Sequence, residues 1–105
     1  MEGSKTYQKP KRDIFNTLYD IIELQKGEII VCDTLDGKLL YKVTMYDYVW
    51  ELLYSITDVS PNKRKVSIQC LGERSDKKRE IMRQFSILDA MLDGGCADVN
   101  FKEER

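Results

Sequence analysis

The residues best equipped to do chemistry in this chain are the charges of Arg74-Ser75-Asp76-Lys77-Lys78-Arg79. They open an expected helix. Cations in a first turn oppose the positive end of the helix dipole at roughly 0.3–1 kcal/mol each, and Asp76 offsets only part of this. A site that receives phosphate or an acidic partner would select such a broken rule. Arg74, Lys77, Lys78, Arg79 and Arg83 are therefore the candidate polyanion-binding residues, and a solvated, salt-screened helix face is the plain alternative. A second cluster, Lys63-Arg64-Lys65, begins the strand that leads into this helix. A seven-residue strand spans about 23 Å, so the two clusters are not expected to form one footprint.

The remaining chemistry is defined by what is missing. The chain has no histidine, which removes the base of Ser-His and Cys-His nucleophilic sites and the commonest zinc ligand. It also has no Cys-x-x-Cys pair, Walker-type loop or Gly-x-Gly-x-x-Gly turn, and Gly94-Gly95 reads as a helix terminator. Asp33 and Asp36 flank a turn but lack the further ligands of a calcium loop. Cys32, Cys70 and Cys96 are odd in number and widely spaced, as expected of reduced cytosolic thiols rather than a disulfide framework or a metal site. No catalytic residue, cofactor or metal is expected. An enzyme here would have to work with carboxylates, tyrosines or lysines alone.

Several elements must position these groups. Ile14, Phe15, Leu18, Ile21 and Ile22 recur at helical spacing between Arg12 and Lys26, with Gly27 at the expected stop, although Tyr19 to Leu24 also reads as a strand. Glu28 to Thr34 is an unbroken β-favouring run, and Asp36-Gly37 suits a tight hairpin. Leu39, Tyr41, Val43 and Met45 then alternate, followed by Tyr46, Tyr48, Trp50, Leu52, Tyr54 and Ile56. These make one strand bent near Asp47, or two strands with a tight turn there. The rings Tyr46, Tyr48, Trp50 and Tyr54 form either a core face or a stacking platform. Val66, Ile68 and Cys70 mark another strand. From Ser75 to Leu92 a stripe of Ile81, Phe85, Leu88 and Leu92, supported by Met82 and Met91, marks a second helix with Ser75 as its cap. Ala97, Val99 and Phe101 have the spacing of a short edge strand.

The order helix, antiparallel strands, helix resembles the topology of double-stranded-RNA-binding domains over roughly residues 12–92. In that family, lysines at the start of the second helix grip phosphates, which implies that role here for Lys77 and Lys78 alone. The chain departs from the family in its short, acidic hairpin loop at Asp36-Gly37 and its bulky helix stripe.

With 105 residues, 42% hydrophobic and 33% charged, the composition is that of one globular domain. The net charge of −1 is segregated: residues 1–12 carry +3, 13–62 carry −6, 63–83 carry +5 and 84–105 carry −3. This pattern does not support a uniformly basic nucleic-acid binder, but it does support a local basic region between Lys63 and Arg83. No apolar run is long enough to cross a bilayer, and Met1 to Lys5 contains no secretory h-region, so a cytoplasmic protein that does not enter membranes is expected.

Together these features predict an α+β two-layer sandwich in the order α-β-β-β(-β)-α. An antiparallel sheet of three to five strands carries both helices on one face, within a single domain over residues 12–101. Residues 1–11 are expected to be a mobile basic tail and 102–105 a solvated one. The face opposite the helices would expose Leu40, Val49, Leu53 and Leu71, so a second covering layer is expected there. The expected function is a small non-enzymatic protein-interaction or regulatory module, homodimeric or docked on another protein through that face. Binding of RNA or another polyanion at the basic helix start is the second expectation.

Overall fold

A computed structural model gives the fold and describes residues 1–45, 47–72, 76–92 and 99–102. In chain order the elements are β1 (Glu2–Tyr7), α1 (Lys11–Leu24), β2 (Glu28–Asp33), β3 (Lys38–Met45), β4 (Tyr48–Ser60), β5 (Lys63–Leu71), α2 (Lys77–Leu92) and β6 (Asn100–Lys102). The strands form one antiparallel sheet in the order β2-β3-β4-β5-β1-β6. The α+β class, the antiparallel sheet and the two helices agree with the sequence. The strand count is six rather than three to five, and strands precede the first helix and follow the second.

The largest correction concerns the N-terminus. Residues expected as a mobile tail form β1, which pairs with β5 on one side and β6 on the other. Its inward positions are Gly3, Lys5 and Tyr7, not aliphatic residues, so the alternation that reveals a strand is missing. Each nevertheless has a packing reason. A Cβ on Gly3 would lie 2.6 Å from Ile81 Cγ2, so glycine lets α2 approach. The Lys5 ammonium pairs with the Asp89 carboxylate, and the Tyr7 hydroxyl donates to the same carboxylate.

Both helices contribute to a single core. Ile14, Phe15, Leu18, Ile21 and Ile22 of α1 meet Ile81, Phe85, Leu88 and Leu92 of α2 and the inner-face residues of β3, β4 and β5. Met82 and Met91 do not join this stripe and are exposed. At about 100° per residue each is turned a quarter of the helix away from its buried neighbour Ile81 or Leu92. Glu80 and Gln84 occupy buried positions instead. The Gln84 amide oxygen accepts from the Tyr41 hydroxyl at 3.1 Å and the Tyr54 hydroxyl at 3.0 Å, while its nitrogen donates to Glu80 at 2.8 Å. Arg83 donates to the same Glu80 carboxylate, so the buried charge is compensated.

Turns follow backbone rules. The hairpin at Asp36-Gly37 forms: Gly37 has φ +71°, its carbonyl accepts from Ile56 N at 2.7 Å, and a Cβ there would collide with the Ile56 carbonyl. The long aromatic segment resolves into two strands, with Asp47 at φ +66° in the turn between Met45 and Tyr48. α1 ends at Leu24, and Lys26, not Gly27, takes the left-handed conformation, at φ +56°. The strand reading of Tyr19 to Leu24 is thereby overturned. The expected cap Ser75, the terminator Gly94-Gly95 and residues 103–105 lie outside the described residues.

Candidate interaction surface

The face of the sheet opposite the helices is built in rows by strand register. Val31, Leu40 and Leu53 stand side by side on β2, β3 and β4, followed by Gln69 and Glu2 on β5 and β1. On one side of this row run Glu28, Lys42, Glu51 and Leu71; on the other run Asp33, Lys38, Ser55, Ser67 and Ser4. Thr44 and Val49 complete the upper edge. The face is therefore a short aliphatic row flanked on one side by charges of alternating sign and on the other by Asp33, Lys38 and a run of serines. The Glu28 and Lys42 side chains are 3.4 Å apart.

All four residues expected at an interface lie on this face, but not as one cluster. Leu40 and Leu53 are direct cross-strand partners and half-buried. Leu71 stands beside Glu51, and Val49, 61% exposed, lies beyond the Lys42–Glu51 pair. Val31, 51% exposed, extends the aliphatic row onto the outermost strand. Val31 does not stand out by its own spacing, but its signal is in the sequence: Ile29-Ile30-Val31-Cys32 is apolar on both parities.

All six residues of β2 are exposed, and among the described residues no strand pairs with its outer edge. A bulge between Ile29 and Val31 sets which side each residue shares. Ile29 and Cys32 fall with Tyr41 and Leu39 on the helix side, while Glu28, Val31 and Asp33 fall with Lys42, Leu40 and Lys38 on the open face. The Cys32 thiol lies 3.0 Å from the Tyr19 hydroxyl of α1, consistent with that assignment.

The basic candidates are dispersed. Lys77, Lys78 and Arg79 do occupy the first turn of α2, with Lys77 half-buried and Lys78 Nζ 5.1 Å over the Phe101 ring of β6. Arg83 is turned to Glu80. Arg74 lies outside the described residues. The other cluster begins β5, whose eight steps from Lys63 to Leu71 cover about 26 Å at 3.3 Å each. There Arg64 is tied to Asp58 at 3.1 Å. Strands that precede and follow the helices and belong to the same sheet also part this topology from the double-stranded-RNA-binding resemblance.

Trp50 and Tyr54 are core residues, whereas Tyr48 is exposed and Tyr46 lies outside the described residues. Cys70 is buried, and that burial pushes its thiol up to about 12, which leaves no thiolate near neutrality. Cys32 is exposed, and Cys96 lies outside the described residues. Among the described residues no helix is long and apolar enough to cross a membrane, and no three potential ligands gather as a metal site would require.

No family model and no curated protein matches the chain. Among solved structures it is similar to the crystal structure of Ara h 8.0201, at 12% identity and a TM-score of 0.37, over 90% of this chain and 97% of that one. What the open face does has to be read from its own residues.

Proposed function

We propose that this chain is a non-enzymatic protein-interaction module that works as a homodimer, with the open sheet face as its contact. The observation that carries the reading is the aliphatic row Val31, Leu40 and Leu53, which runs from the edge strand β2 across β3 to β4 on the open face. An antiparallel sheet can leave one face in water, but that face is then expected to be polar in every row.

A second copy fits the pattern. Consider a two-fold axis parallel to the strands and lying above the open face, over the line between β3 and β4. It sets Leu40 against the partner's Leu53 and Lys42 against the partner's Glu51, and each contact is repeated by symmetry. Thr44 then meets the partner's Val49. Over β3 and β4 apolar meets apolar and opposite charges meet at the flank, which favours both affinity and register, while farther out Val31 faces the partner's Gln69 and Glu28 the partner's Leu71.

The test is isotope-filtered NMR on a mixture of labelled and unlabelled chains. Cross-peaks between Leu40 and Leu53 methyls of different copies are expected. Their absence in a sample shown to be dimeric would place the contact elsewhere, and a monomeric sample would remove the proposal.

A further inference from the structure

The outer edge of β2 offers a second surface, distinct from the open face. Edge strands of globular proteins are normally blunted by lysine, proline or brevity. β2 has the sequence Glu-Ile-Ile-Val-Cys-Asp, with neither lysine nor proline, and Ile29, Ile30 and Val31 are 43%, 45% and 51% exposed. Its protection is limited to the bulge at Ile30 and the two terminal carboxylates.

Those two features also indicate what the edge is built to take. A second copy paired antiparallel over all six residues would rotate about a point between Ile30 and Val31. The bulge lets the faces agree in that register, Ile29 opposite Cys32 on the helix side. It also sets Glu28 opposite the partner's Asp33 at both ends, and directly opposed like charges disfavour the pairing. The strand that already pairs with β2 shows the favourable arrangement. β3 presents Lys38-Leu39-Leu40-Tyr41-Lys42, with Lys42 opposite Glu28 at 3.4 Å and Lys38 in register with Asp33, where the Lys38 ammonium is 3.8 Å from Asp36 and Asp33 Oδ1 accepts from Asp36 N. Because the bulge removes one residue from the count, these two lysines are four residues apart.

We infer that the β2 edge is a docking strand for an extended segment of another protein, one carrying two cations four residues apart around an alternating, partly apolar centre. Such a segment would add a seventh strand, taking its affinity from backbone hydrogen bonds and its choice of partner from Glu28 and Asp33. A carboxylate has acceptor sites to spare, so Glu28 can receive a second cation while held by Lys42.

The probe is the blocked peptide Thr-Lys-Val-Thr-Tyr-Lys-Thr, carrying a fluorophore and titrated with the full chain by anisotropy. Saturable binding is expected, at least about tenfold weaker for the peptide with both lysines changed to glutamate, by the scale of paired against opposed charges at an interface. Amide shifts in the labelled protein should centre on residues 28–33. Ile30→Pro should abolish binding while leaving circular dichroism and solution mass unchanged, because a bulge position tolerates proline. Leu53→Glu, which tests the open face, should leave peptide binding intact. Equal affinity for the lysine and glutamate peptides, no saturation, or shifts centred away from β2 would overturn the inference, as would concentration-dependent β2 shifts without peptide in the Leu53→Glu variant, whose open face no longer pairs, since these would indicate self-pairing of the edge.

Discussion

Lys5 of β1 and Asp89 of α2, 84 residues apart in sequence, form an ion pair on the helix-covered side of the sheet, with the Lys5 side chain only 7% exposed. The pair fastens the first strand of the chain beneath its second helix. Asp89→Ala would strand a buried ammonium and orphan the Tyr7 hydroxyl, so a loss of about 3 kcal/mol is expected in urea unfolding, the lower end for breaking a buried pair. Lys5→Met, which supplies an apolar stem of similar length, should be less harmful. Equal, small effects for both substitutions would mean that β1 is not fastened this way.

Gln84 does comparable work at the centre of the core, where its amide serves Tyr41, Tyr54 and Glu80 at once. Gln84→Leu keeps the volume but leaves buried groups without their partner, at roughly 1–3 kcal/mol each. A loss of at least about 2 kcal/mol is expected, moderated because the two tyrosine hydroxyls, 3.3 Å apart, can still bond each other. Tyr41→Phe should lose only about 1 kcal/mol on the same scale.

Lys26 holds a left-handed conformation that a non-glycine residue adopts only with strain. Lys26→Gly should therefore raise stability by about 0.5–1 kcal/mol, the relief of strain exceeding the added freedom of the unfolded chain. Gly27→Ala should act in the opposite direction, since its Cβ would sit 3.1 Å from Ile22 and 3.2 Å from the Lys42 carbonyl. Thermal melts of the two variants check the pair.

Alkaline pH should unfold the protein early. Burial raises the Cys70 thiol from 9.0 to about 12, and burial raises Tyr7, Tyr41 and Tyr54 above their ordinary value of 10.0. Such groups hold their protons longer in the folded state, so their contribution is complete below the unfolded pKa of each. It declines as pH rises from about 9 and is lost as pH passes the folded value. Urea midpoints at about pH 7 and about pH 10.5 should show a marked fall, smaller in Cys70→Ala. A flat profile would contradict the burial of these groups.

Much of this architecture is legible in the sequence, for reasons tied to particular residues. The stripe Ile14, Leu18, Ile21 and the pair Asp36-Gly37 report on themselves, because a helix period and a left-handed turn position are local properties. β1 does not, since Gly3, Lys5 and Tyr7 are explained only by Ile81 and Asp89, which lie far along the chain. The same holds for Gln84 of α2, whose tyrosine partners lie on β3 and β4. On the interaction surface, Leu40, Val49, Leu53 and Leu71 were readable from parity. Which of them touch was not, because cross-strand register decides it, and the bulge that turns Val31 toward Leu40 leaves no mark in composition. The cluster Lys77-Lys78-Arg79 was legible as charge, but the engagement of Lys78 by Phe101 and of Arg83 by Glu80 required the fold.

The most direct test of the central proposal is the mass of the chain in solution, by light scattering on a sizing column over a range of concentrations, with absorbance at 260 and 280 nm recorded on the same peak. The account predicts about twice the 12.3 kDa chain mass, free of nucleic acid, falling to the chain mass in Leu53→Glu. A wild-type peak at the chain mass at every concentration, or a dimer indifferent to Leu53→Glu, would contradict it.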